Sequence, residues 1–125
     1  MDEPTPWIFY VSRMGRTVVQ DELRKMNLSQ REQHSIEETL RRIASGEPAR
    51  GDTDYLGRDV WEVRVRLERR ILRLLYFIET DPTLYVVVLA AIKKTQKTPP
   101  GWINVALARK AQWDAFDFSE DLNNI

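Results

Sequence analysis

The 125-residue chain reads as a single α+β domain: a mainly antiparallel sheet of four to five strands packed against an N-terminal helical hairpin, with a C-terminal helix. Three observations predict this. Trp7-Ile-Phe-Tyr-Val11 is dense in aromatic and β-branched residues, which suit a pleated, half-buried surface. Two amphipathic helical stretches follow between Thr17 and Gly46, and three extended runs lie between Val60 and Ile92. A chain of this length supports one well-buried core and not two, so residues 1–125 form one domain, its last part an acidic tail from about residue 114.

Taken in order, the first strand ends at Gly15. From Thr17 to Met26, Val19, Leu23 and Met26 recur at i, i+4 and i+7 and make one apolar helical stripe. A second helix starts at Ser29, which with Glu32 matches the Ser-x-x-Glu capping box, the hydroxyl accepting an amide hydrogen and the carboxylate reaching back. Ile36, Leu40 and Ile43 give its buried face, and Gly46 followed by Pro48 stops it. The segment Glu47 to Gly57, rich in Gly, Pro, Asp and Thr, reads as a loop. Val60 to Leu67 alternates with period two, placing Trp61, Val63, Val65 and Leu67 on one face and Glu62, Arg64 and Arg66 on the other. Ile71 to Ile78 is apolar on both faces except at Arg73, and the short link Glu68-Arg69-Arg70 makes it the antiparallel partner of the preceding strand. Asp81-Pro82-Thr83 turns the chain into Leu84 to Ile92, apolar on both sides and therefore expected at the centre of the sheet. Pro99-Pro100 then opens a helix with Trp102, Val105, Ala106 and Trp113 on its apolar side.

Charge narrows the functional classes. The formal net charge is zero, which argues against a generic nucleic-acid binder, yet the balance is uneven along the chain. Six arginines from Arg58 to Arg73 face only Asp59, Glu62 and Glu68. Five basic residues from Lys93 to Lys110 face no acid at all, and the tail reverses the sign with Asp114, Asp117, Glu120 and Asp121. Cysteine is absent, which excludes disulfides and thiolate metal sites. The single histidine, His34, falls on the polar side of its helix and is expected at the surface. No metal-binding spacing, Walker-type loop or G-x-G-x-x-G loop is present, so neither a metal nor another cofactor is expected. No apolar run reaches the roughly 20 residues a spanning helix needs, so no membrane contact is expected, and the opening Met1-Asp-Glu-Pro-Thr-Pro lacks signal-peptide character; the cytoplasm is the expected compartment.

The candidate site is cationic. The most apolar strand, Tyr85 to Ile92, runs directly into Lys93-Lys94-Thr95-Gln96-Lys97-Thr98-Pro99-Pro100, which delivers ammonium groups to the mouth of a rigid support. Clustered lysines repel one another unless an anion lies between them, so such a site suits phosphate. Arg73, alone in an apolar strand, must find an anion or a carboxylate partner, for which Glu62 and Glu79 are the candidates. Tyr76 and Tyr85 can stack a base or fill the core, and Trp61, Trp102 and Trp113 belong first to the core or to an interface.

The ordered set of an aromatic first strand, a helical pair, Trp61-Glu62-Val63-Arg64, Arg73-Leu-Leu-Tyr-Phe77, Ile92-Lys-Lys-Thr-Gln-Lys-Thr-Pro99 and Ala106-Leu-Ala-Arg109 resembles the HigB-like, phage-derived branch of the RelE/ParE toxins. The resemblance covers most of the chain. It implies a RelE-like fold and a toxin of a type II toxin–antitoxin system: an mRNA endoribonuclease, usually acting on the translating ribosome, silenced by a cognate helix-turn-helix, HigA-like antitoxin. Metal-free RNA cleavage requires a group to take the 2′ proton, cations to hold the phosphorane-like transition state, and an acid for the leaving 5′-oxygen. Under the resemblance, Arg73, Lys94, Lys93 and Glu62 are the catalytic candidates, with Arg73 stabilising the transition state and the two lysines binding phosphate and exchanging protons. Arg64, Arg66 and Lys97 are the candidates for holding RNA phosphates. Two other readings stay open, a ParE-like poison of DNA gyrase and a nuclease-dead module that only docks nucleic acid or an acidic partner.

Overall fold

The computed structural model describes residues 6–93 and 97–115, with Lys93 described by its backbone alone. Five strands and three helices follow one another: β1 (Trp7–Phe9), α1 (Val18–Arg24), α2 (Gln30–Ala44), β2 (Thr53–Gly57), β3 (Val60–Arg66), β4 (Ile71–Glu79), β5 (Leu84–Lys93) and α3 (Pro100–Ala115). The strands form one sheet in the order β1-β5-β4-β3-β2. All neighbours are antiparallel except β1 and β5, which run parallel, so the sheet is mixed. It is β4 that occupies the centre. β5 lies one place out, because β1 returns to its outer side while β2, β3 and β4 stack on the other.

The two expected helices are present, but they do not form an N-terminal hairpin. They follow β1, α1 lying against β5 and α2 against β3. Between them runs a groove of about 1280 Å³ whose lining includes Trp7, Phe9, Leu23, Leu28, Ile36 and Leu40. The α2 start is as the sequence predicts: Ser29 Oγ accepts from the Glu32 amide at 3.1 Å and Glu32 Oε1 accepts from the Ser29 amide at 3.0 Å. The Ser29 amide, with help from Arg70, holds the Glu32 carboxyl below the usual carboxylate range against the opposing effect of burial. At the other end Gly46 has φ +79°, a left-handed conformation that glycine adopts without steric penalty, and donates to the carbonyl of Ile43.

β2 lies inside the segment read from sequence as a loop. Thr-Asp-Tyr-Leu-Gly has no alternation of apolar residues, because it is an edge strand whose side chains are half-exposed or exposed. A two-residue turn at Arg58 and Asp59, both at positive φ, joins it to β3, and the Tyr55 hydroxyl accepts from the Asp59 amide at 3.1 Å.

Register assigns every side chain to a face. Trp61, Val63 and Val65 of β3 oppose Tyr76, Leu74 and Leu72 of β4 on the face that α2 covers. One aromatic from each strand lines up there, Tyr55, Trp61, Tyr76, Tyr85 and Trp7, with neighbouring ring centroids 4.6 to 6.5 Å apart. Trp7 Nε1 ties this ladder to α2 by donating to the Leu40 carbonyl at 2.8 Å. Tyr76 is only 2% exposed and belongs to the core. The opposite face carries Phe77 and Glu79 under α3, where Lys110 lies 5.1 Å from the Phe77 ring centroid and Trp113 Nε1 donates to Glu79 at 2.7 Å. Ala106 is the buried residue of α3, while Val105, expected on its apolar side, is 40% exposed.

Candidate functional site, a buried carboxylate holding two arginines

Period-two alternation places Glu62 and Arg64 on the α3 side of β3, and the antiparallel register sets Arg64 directly across from Arg73 of β4. The carboxylate of Glu62 lies two residues along and accepts from both guanidinium groups through one oxygen, Oε1, at 2.8 Å from Arg73 Nη1 and 2.8 Å from Arg64 Nε. Its second oxygen accepts from the Thr98 hydroxyl at 2.5 Å. Arg64 also reaches Asp54 of β2 through Nη2 at 3.2 Å. Of the two carboxylate candidates for Arg73, the structure selects Glu62; Glu79 sits farther along β4 and receives Trp113 instead.

Burial separates the members. Glu62 is 0% and Arg73 1% exposed, whereas the Arg64 side chain is 36% exposed. A buried ion pair is held only when its attraction and hydrogen bonds offset the loss of hydration of both charges. Here the offset comes from a single oxygen shared by two cations plus a hydroxyl on the other oxygen, so the group is one unit and not two independent salt bridges. With Asp54 on Arg64, two guanidinium groups face two carboxylates, and the Arg64–Asp54 pair is the solvent-facing edge of the cluster.

The remaining described candidates lie on the segments next to this unit. Arg66 and Lys97 are exposed. The backbone of Lys93 ends β5 opposite Ile71, which in turn opposes Arg66, and Arg66 lies on the same face as Arg64 and Arg73, one step farther along. Lys94 lies outside the described residues. Thr98, which immediately precedes the prolines that start α3, carries the chain back over Glu62. The sequence reading did not single out Thr98; its signal was its place in the lysine-rich motif, without anything to show which residue it would meet. His34 is on the surface, its Nε2 4.0 Å from Glu38. Among the described residues no cluster of His, Cys, Asp or Glu could hold a metal ion, and no helix is long and apolar enough to cross a membrane.

Arg109, part of the motif in α3, has a separate place. β1 is so short that it pairs only with Tyr85 to Val87, which leaves the outer edge of β5 open beyond that point. Arg109 Nη1 donates to the Val88 carbonyl at 2.7 Å, Glu22 of α1 accepts from the Ala90 amide at 3.1 Å, and the two side chains pair with each other at 3.0 Å. An ion pair thus satisfies the strand edge where a sixth strand would otherwise be invited.

Residues 21–111 match the model of the phage-derived protein Gp49-like family (DUF891), which spans the second helix of the motif set, the arginine pair and most of α3. The chain belongs to that family, a family of RelE/ParE-like toxins. No curated protein matches the chain.

Proposed function

We propose that the chain is the toxin of a type II toxin–antitoxin pair in the HigB-like branch and that it cleaves mRNA on the translating ribosome without a metal. The observation that carries this reading is the convergence of Arg64 and Arg73 on Glu62, with the exposed Arg66 two residues beyond Arg64 on β3 and the exposed Lys97 next in sequence to Thr98, which meets Glu62. The 2′-oxygen of a ribose loses its proton and attacks the adjacent phosphorus; the P–O5′ bond breaks, and the 5′-oxygen takes up a proton, leaving a 2′,3′-cyclic phosphate and a 5′-hydroxyl. Lys93 and Lys94 are proposed to exchange these protons and to hold the phosphate, with Arg64, Arg66 and Lys97 gripping phosphate oxygens. Arg73 stabilises the developing charge, and Glu62 keeps its guanidinium and that of Arg64 aimed at one place. The proposed cytoplasmic partner is a helix-turn-helix, HigA-like antitoxin.

One observation favours a second reading. Arg73 and Glu62 are almost wholly enclosed, which also suits a nuclease-dead module in which they only shape a basic surface for nucleic acid or an acidic partner.

The test uses the exposed members, because truncating Arg73 removes a buried partner of a buried carboxylate and confounds activity with stability. Induction of the chain in a bacterial host is expected to arrest growth and create new mRNA ends. The double variant Arg64→Ala, Lys97→Ala, at equal soluble level, is expected to lower cleavage by about 10² or more, the scale for losing transition-state donors. Arrest with intact transcripts selects the binding module, and cleavage undiminished in the double variant removes this cluster from the mechanism.

A further inference from the structure

We infer that Thr98 is a positioning residue of the site: its hydroxyl fixes the rotation of the Glu62 carboxylate so that Arg64 Nη2 is left to the exposed Asp54, from which a phosphate can take it. The inference rests on the endoribonuclease reading for its substrate, and on geometry alone for the coupling.

The division of labour between the two carboxylate oxygens is unequal. Oε1 receives both guanidinium groups and Oε2 receives Thr98 at 2.5 Å. A fully buried oxygen deprived of its donor is costly, so a carboxylate without Thr98 turns to bring Oε2 within reach of a guanidinium. Arginine forks and carboxylates favour two parallel bonds, and the side chain with room to adopt that arrangement is the more exposed Arg64. Arg64 Nη2, which donates to the exposed Asp54 at 3.2 Å, would then turn to Glu62, so that Nε and Nη2 are both held by one enclosed carboxylate in the geometry a phosphate needs. Thr98 therefore keeps the carboxylate from competing with substrate. Its position explains why a hydroxyl-bearing residue stands between the lysines and the prolines: the chain at that point crosses Glu62 before entering α3.

The experiment compares wild type with Thr98→Val, which removes the hydroxyl at nearly constant shape, Thr98→Ala, which relieves any clash of the new methyl, and Thr98→Ser, which restores the donor. Two readouts are used on the purified full chain: steady-state cleavage of an mRNA on ribosomes, and the Arg64 Nε–Hε resonance during titration with inorganic phosphate. Thr98→Val and Thr98→Ala are expected to raise KM about tenfold with a smaller change in kcat and to weaken the Arg64 response to phosphate to a similar degree, whereas Thr98→Ser stays within about twofold of wild type. Wild-type KM and an unaltered Arg64 response in Thr98→Val and Thr98→Ala overturn the inference, as does a serine variant that fails to rescue. If wild type itself cleaves no RNA, the endoribonuclease reading fails, and the phosphate titration still decides the role of Thr98.

Discussion

On the face toward α2, Trp61, Val63 and Val65 meet Tyr76, Leu74 and Leu72 across the β3–β4 ladder, whereas on the opposite face the same two strands set Arg64 against Arg73 and Glu62 against Leu75. The first face is held by apolar area and ring contacts, which are non-directional and tolerate change in proportion to the volume lost. The second is held by a few directed bonds around one carboxylate, where each member depends on the others. Two strands can carry both regimes because side chains alternate across the sheet, so the ordinary core on one face supports the costly charges on the other. Both faces therefore bear on stability, and only the charged face carries the residues of the proposed chemistry.

The largest effect is expected from breaking the charged unit one-sidedly. Glu62→Leu leaves two guanidinium groups without their shared anion, one of them enclosed, and is expected to cost about 3–5 kcal/mol in denaturant unfolding. Adding Arg73→Met to that variant replaces the buried pair by apolar groups and should recover most of the loss without recovering the proposed cleavage. If the single variant unfolds like wild type, the description of a mutually dependent unit is wrong.

The next effect sharpens the contrast from the other face. Leu74→Ala removes a fully buried side chain opposite Val63 and is expected to cost about 2–5 kcal/mol, with the rate of the proposed cleavage per folded molecule unchanged. A rate that falls with Leu74 at full folding would show that the two faces are not separable.

The smallest effect is silent at neutral pH. Burial, and then the neighbouring Tyr85, push the Tyr76 hydroxyl from 10.0 up to about 12, so the folded protein resists its ionisation. A group that is harder to ionise when folded contributes fully below the unfolded value and loses its contribution as the pH rises through the interval from 10 to about 12. Unfolding followed against pH should show an alkaline loss of stability in that interval, reduced in Tyr76→Phe. An identical alkaline limb in both proteins would assign the loss elsewhere.

Much of the architecture was legible because local signals were strong. The capping box at Ser29 and Glu32 set the start of α2 to the residue, the alternation from Val60 to Leu67 assigned the faces of β3, and the apolar runs marked β4 and β5. β2 was missed because an exposed edge strand has no buried face to impose periodicity on its sequence. The helical pair was misjudged as a hairpin because amphipathicity reports which side of a helix is buried and not against what; α1 turns to β5 and α2 to β3. At the site, the alternation brought Glu62 and Arg64 together on paper, and the cost of a lone buried arginine pointed to Glu62 as one of two partners for Arg73.

The sequence by itself determined the kinds and order of the elements other than β2 and the side of the sheet on which the β3 charges lie, since each of these follows from spacing along a single strand or helix. Only the tertiary structure decided that Glu62 and not Glu79 holds Arg73, that Thr98 completes the carboxylate, and that Arg109 and Glu22 seal the edge of β5. Those choices depend on strand order, register and the path of α3 across the sheet. They are pairings between segments 11 to 87 residues apart, which no local pattern encodes.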